Sequence, residues 1–313
     1  MKRASIGLVV LCFALLVGFS TNAFAWSVGD IFAGVGSSTI KVYDQTGTLK
    51  QTLTTGSTNE NTGMAFDAAG NLYATQFSGG VSKFAPDGTY LGTFGSGYSN
   101  PESAVRDASG NMYIGQAGTN SFRKYDVATA TLQATYTVAV NRGTDWIDLA
   151  SDQHTMYYTS EGQSIKRFDM ATNTQLADFA SGYSGTSYAL RILGDGGVLV
   201  ATWGDIKRFD AAGNLVQTYD DNRNDWFAMN LDPDGTSFWS GSYSSGQISH
   251  FDIASGAVLG SFNAGINTTM AGLAVFGERT QGGGDNPVPE PTTMLLLGLG
   301  LVGSKVAHRR MKK

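Results

Sequence analysis

The sequence predicts an all-β chain folded as a six-bladed β-propeller, on three observations. A segment with the form of IKRFDAAGNLVQTY (Ile206 to Tyr219) is written six times, the other copies running from Ile40, Val81, Phe122, Ile165 and Ile248. The aromatic shared by the copies falls at Tyr43, Phe84, Tyr125, Phe168, Phe209 and Phe251, a period of 41 to 43 residues and the length of one four-stranded blade. The two ends of the array are incomplete in complementary ways: no innermost strand precedes the first copy, and a lone strand-like segment, Met270 to Phe276, follows the last. Pairing that segment with Asp30 to Ala33 closes the ring inside blade 1 and removes an exposed sheet edge.

In chain order, Lys2 and Arg3, the apolar run Ile6 to Phe19 and the small-residue site Ala23-Phe24-Ala25 have the three parts of a secretory signal peptide over residues 1–25, with cleavage before Trp26. The only cysteine, Cys12, leaves with it. The mature chain then has no disulfide, thiolate metal site or cysteine nucleophile, and packing alone must hold it.

The propeller occupies residues 26–277. Its 41 glycines, 13 tyrosines and 17 phenylalanines, with only 15% charged residues, belong to the whole chain and suit short strands joined by tight turns. Within each blade an inner strand pair precedes the repeated segment, as in Met64 to Asp67, a turn, and Asn71 to Thr75. The D-x-x-G-N turns at Asp67 and Asp107 have a local cause, since Asp and Asn bond nearby backbone while Gly takes the positive φ of the hairpin. The aspartates that end the repeated strand, Asp44, Asp126, Asp169, Asp210 and Asp252, read as turn residues too.

Residues 278–287, rich in glycine and polar side chains, read as a flexible linker. Residues 288–313 hold Val288-Pro289-Glu290-Pro291, an apolar run from Met294 to Val302, and a basic end with Arg309 and Arg310. The 16 residues from Thr292 to Ala307 would make a short transmembrane helix of about 24 Å, with the basic end held on the cytoplasmic side.

Of 21 Lys and Arg, two fall in the leader and five in the tail, leaving 14 against 26 Asp and Glu, or about −12 for the body. That balance argues against nucleic acid or an anionic membrane surface as the propeller's partner.

Propellers bind ligands at the channel mouth, and the loops at one end supply the candidates Glu102, Asp145, Trp203 and Asp225. Asp145-Trp146 and Asp225-Trp226 stand out because aromatic faces beside carboxylates suit sugar rings. The alternative is that both tryptophans fill gaps between blades while both aspartates cap turns. Arg106 and Arg191, inside innermost strands, either face the channel and fix an anion or pair with a carboxylate such as Asp107 or Asp195. No catalytic residues, metal ligands or cofactor-binding pattern emerge: the three histidines are scattered, and no glycine run has phosphate-cradling spacing.

The D-x-x-G-N turn-strand and the I-K-x-F-D strand resemble those of the NHL-repeat and gluconolactonase-like propellers. That resemblance implies the fold and, as the alternative function, a secreted metal-dependent lactonase-like or lyase-like enzyme. Its metal cluster would have to be assembled from residues such as Glu102, Asn141 and Asp225, which no spacing supports. The tail is similar to the PEP-CTERM sorting signal. What this implies is export across the inner membrane of a Gram-negative bacterium, transient anchoring, and cleavage near Pro289 to Pro291 by an exosortase-type enzyme. The chain would then work at the cell surface or in the extracellular matrix, where exopolysaccharide is common, as a non-catalytic binder of a polysaccharide or surface protein.

Overall fold

The computed structural model describes residues 26–265 and 269–283. The expected signal peptide, the Pro-Glu-Pro motif with its helix, and Arg309 and Arg310 lie outside the described residues.

Six antiparallel sheets form the body. Blade 1 has the order β25-β1-β2-β3, from β1 (Ile31–Val35), β2 (Thr39–Tyr43), β3 (Leu49–Thr54) and β25 (Met270–Val275). Blade 2 holds β4 (Asn61–Phe66), β5 (Leu72–Gln76), β6 (Val81–Phe84) and β7 (Tyr90–Thr93). Blade 3 holds β8 (Pro101–Arg106), β9 (Asn111–Gln116), β10 (Ser121–Asp126) and β11 (Leu132–Thr137). Blade 4 holds β12 (Ile147–Leu149), β13 (Thr155–Tyr158), β14 (Ser164–Asp169), β15 (Thr174–Gln175) and β16 (Ala180–Ser181). Blade 5 holds β17 (Ser187–Ile192), β18 (Val198–Thr202), β19 (Ile206–Phe209) and β20 (Leu215–Tyr219). Blade 6 holds β21 (Trp226–Leu231), β22 (Ser237–Ser242), β23 (Gln247–Asp252) and β24 (Val258–Asn263).

Closure follows the sequence expectation. Ile31 pairs with Val275, Phe32 with Ala274 and Ala33 with Leu273, so residues from the two ends of the propeller share one sheet. Trp26 locks the seam, its ring 4.9 Å from Phe32, 5.8 Å from Phe66 and 6.0 Å from Phe276. All six repeated aromatics lie in the third strand of their blade and are buried, from Phe251 at 0% to Tyr43 at 4% exposed. They fill the space between blades, as where Phe94 meets Tyr125 and Phe122 meets Phe168. The innermost strands are buried on both faces, whereas outer strands such as β11 and β24 are largely exposed.

Turn chemistry accounts for the hairpins. Asp67 Oδ1 accepts the Ala69 and Asn71 amides at 2.9 Å, its Oδ2 accepts Asn71 Nδ2 and the Tyr73 hydroxyl, and Gly70 sits at φ 80°. Asp210 repeats the pattern in blade 5, accepting the Ala212 and Asn214 amides. These hydrogen bonds stabilise the charged carboxylate and hold Asp210 below the usual range. Blade 4 departs from the repeat: its outer strand is split, β15 pairing with one end of β14 and β16 with the other. Between them Arg167 Nε donates to Ala177 O, a side chain standing in for the ladder.

Around the axis the inner strands approach backbone to backbone. A Cβ on Gly272 of β25 would lie 2.1 Å from Thr62 O, and one on Gly63 of β4 would lie 2.4 Å from Ser103 Cα. Only glycine allows that approach.

The reading of 278–287 as a flexible linker needs correction over its first six residues. Gly277 takes a left-handed φ of 89° and turns the chain across the channel end, where Glu278, Gly282 and Gly283 are buried. Glycine and polar side chains give this stretch a linker's composition, but Glu278 finds three partners in two strands: Arg191 Nε at 2.7 Å in β17, and Leu231 N at 2.7 Å and Asn230 Nδ2 at 2.5 Å in β21. Residues 278–283 are therefore a plug.

Candidate functional site

The two ends of the channel differ. Every innermost strand starts at one end, here called the mouth, and finishes at the other, where the plug lies. The plug leaves an enclosed space of only about 20 Å³ beside Arg106, Arg191 and Glu278. At the mouth a cavity of about 280 Å³ opens to solvent, enough for a ligand about the size of one ring system.

A recurrent β-bulge builds the mouth. Register shifts between Asn61 and Met64, Pro101 and Ser103, Ser187 and Leu190, and Trp226 and Ala228 interrupt the start of the innermost strand in four blades. The closing strand carries a fifth at Gly34/Val35. A bulge puts an extra residue on one strand and re-aims its side chain. Thr62, Glu102, Tyr188, Phe227 and Ala271 are the residues set off in this way, and all five line the cavity. Blade 4 has no such shift.

Loops complete the lining with Glu60, Phe77, Arg142, Glu161, Trp203 and Tyr243. Blades 5 and 6 form a continuous aromatic wall. Tyr188 lies 4.6 Å from Phe227 and 6.2 Å from Trp203, and Phe227 lies 5.0 Å from Tyr243. Trp203, 46% exposed, is its outer end. Charges complete the lining: Arg142 pairs with Glu161 and lies 5.9 Å from the Phe77 ring, and Glu60 accepts the Thr269 hydroxyl at 2.5 Å.

Glu102 and Asp145 lie deepest, 2% and 0% exposed. Glu102 Oε2 and both carboxyl oxygens of Asp145 make no hydrogen bond within the protein. Burial, then the neighbouring Asp145, raises Glu102 to about 8 against the pull of Arg142. Burial likewise raises Asp145 to about 7. Both pKa values exceed their unfolded ones, so the folded state holds these protons more tightly and stability falls as pH rises. Between about pH 5 and pH 9, unfolding free energy should drop by on the order of a few kcal/mol, and Glu102→Gln should flatten that slope in urea titrations.

The expected site residues separate into three groups. Glu102 and Trp203 stand at the mouth, with Asp145 buried behind Glu102. Trp146 and Trp226, expected as platforms, are corrected: at 1% and 0% exposed they belong to the core, Trp146 packed 6.1 Å from Phe227 and Trp226 5.5 Å from Phe251, and in blade 6 the bulge sends Phe227 to the channel in place of Trp226. Asp225 is a loop cap, accepting Ser242 Oγ at 2.6 Å and Ser244 N at 2.7 Å.

Arg106 and Arg191 are at the opposite end, so neither fixes an anion at the mouth. Arg106 Nη2 donates to Gly283 O at 2.7 Å. Arg191 pairs with Glu278, while Asp107 meets Lys124 and Asp195 meets Arg208. Sequence reasoning missed Glu60, Thr62, Tyr188, Phe227 and Ala271. The available signal was the break in alternation at Trp226-Phe227, where consecutive large rings begin a strand.

A metal does not fit the donor set. Asp225 is engaged by its own loop, and among the described residues no three His, Cys, Asp or Glu side chains converge to hold an ion. Of the described histidines, His250 stacks on Trp239 at 4.1 Å and His154 sits beside Asp152 and Asp169, both away from the cavity.

Comparison with known proteins separates the tail from the body. No curated protein matches the chain. The propeller is similar to a chain of the crystal structure of a nidogen/laminin complex, with a TM-score of 0.65 at 12% identity over 79% of this chain and 98% of that one, a likeness of fold. Residues 287–310 match the PEP-CTERM protein-sorting motif. The chain is thus a six-bladed propeller followed by a PEP-CTERM signal, which marks an exported, transiently membrane-anchored protein processed by an exosortase-type enzyme for the cell surface.

Proposed function

We propose that this propeller is a non-catalytic binding protein of the Gram-negative cell surface or extracellular matrix, and that its mouth takes a sugar unit of a polysaccharide. The leader over residues 1–25 would start export, and the PEP-CTERM tail would complete sorting. The observation that carries the reading is the aromatic wall of Trp203, Tyr188, Phe227 and Tyr243 in an open cavity that carboxylates also line. Aromatic faces stack on the apolar faces of sugar rings, and polar groups opposite fix their hydroxyls. The likeness of the repeat to NHL and gluconolactonase-like propellers supports the fold, and among the described residues no three His, Cys, Asp or Glu side chains come together at the mouth.

Exopolysaccharide binding followed by calorimetry tests the reading. Trp203→Ala, at an exposed position, should weaken binding by roughly fivefold with the melting temperature unchanged, since one stacked ring contributes about 1 kcal/mol. Unchanged affinity in Trp203→Ala and Phe227→Ala together would remove the mouth from consideration.

A further inference from the structure

Within that reading, the chemistry of the mouth selects among sugars. Glu161 is paired with Arg142, and Glu60 faces Thr269 and the Tyr243 phenol. The acceptors left over are Glu102 Oε2 and the Asp145 carboxyl, fully buried and unpartnered. Glu102 lines the cavity itself, and among the described residues that line it the one cation is Arg142, already engaged by Glu161. Ionised carboxylates are acceptors only, and burying them without donors is costly. An ammonium group supplies three donors and the missing charge, while an aromatic wall suits the ring that carries it and adds attraction for the cation.

We propose that the mouth recognises a sugar bearing a free amino group, the ammonium docking on Glu102 with Asp145 behind it and the ring lying along Tyr188, Phe227 and Trp203. A de-N-acetylated polysaccharide is the ligand class. The groups facing Glu102 are Asp145, Glu60, Arg142, Tyr188 and Tyr243. Cation binding makes the carboxylate form favourable, so a proton leaves as the ligand arrives.

The test uses calorimetry on the full chain in detergent, with a glucosamine tetramer, its fully N-acetylated counterpart and an oligolysine peptide. The amino tetramer should bind roughly tenfold or more tightly than the acetylated one. Its heat should change between buffers of different ionisation enthalpy in the sense of proton release, and this dependence should vanish in Glu102→Gln. Glu102→Gln should bring the two tetramers to equal affinity, with melting temperature reporting the fold. Equal binding of both tetramers to the parent chain would overturn the amino-group assignment and leave sugar binding standing. Binding of neither would overturn both, and binding of oligolysine alone would transfer the mouth to a protein partner and overturn both.

Discussion

Arg191→Ala is expected to lower the free energy of unfolding by about 3–5 kcal/mol, the usual cost of removing one partner from a buried ion pair. Arg191 is 3% exposed and holds Glu278 through Nε and Nη2. Its charge also offsets Asp148, which burial already raises to about 6 and whose Oδ2 accepts the Ile192 amide. Without the guanidinium, two buried carboxyls would lose the cation they share. Urea unfolding followed by tryptophan fluorescence measures the loss. Pairing Arg191→Met with Glu278→Gln should recover part of it, because a neutral pair of similar volume keeps the acceptor for Leu231 N and leaves Asp148 as the one carboxyl that has lost the guanidinium. If Arg191→Ala were as stable as the parent, the plug would contribute nothing to the fold.

Trp226→Ala should cost about 3–5 kcal/mol through the cavity it leaves. The indole is fully buried and meets Phe251, the repeated aromatic of blade 6, edge to face. The measurement separates the two meanings of an Asp-Trp pair. A platform residue would lose ligand and keep its unfolding midpoint, whereas a packing residue loses the midpoint first. Trp203→Ala provides the opposite pattern for comparison.

The architecture was legible because a blade is a local unit. Its period, its Asp-x-x-Gly turns and its aromatic at Tyr43 or Phe251 depend on neighbours close in sequence, and closure by Met270–Val275 could be counted from what blade 1 lacked. The mouth was legible only in part. Trp203, in a loop, and Glu102, expected in a loop but set at a bulge of β8, could both be assigned to the right end from strand direction alone. Phe227 and Tyr188 could not, because a bulge is a property of register between two strands, and strict alternation places Trp226 where Phe227 belongs. The plug was hidden for a different reason. Glu278 to Gly283 have the composition of a solvated connector, and their partners Arg106, Gln153 and Arg191 lie far away in sequence.

The plug also sets the place at which the chain leaves the propeller. The chain leaves the propeller at the closed end, with three residues between Gly283 and the start of the sorting motif at 287. A cut at Pro289 to Pro291 falls after Glu278, so release would free the protein with its stopper still seated and its aperture unaltered.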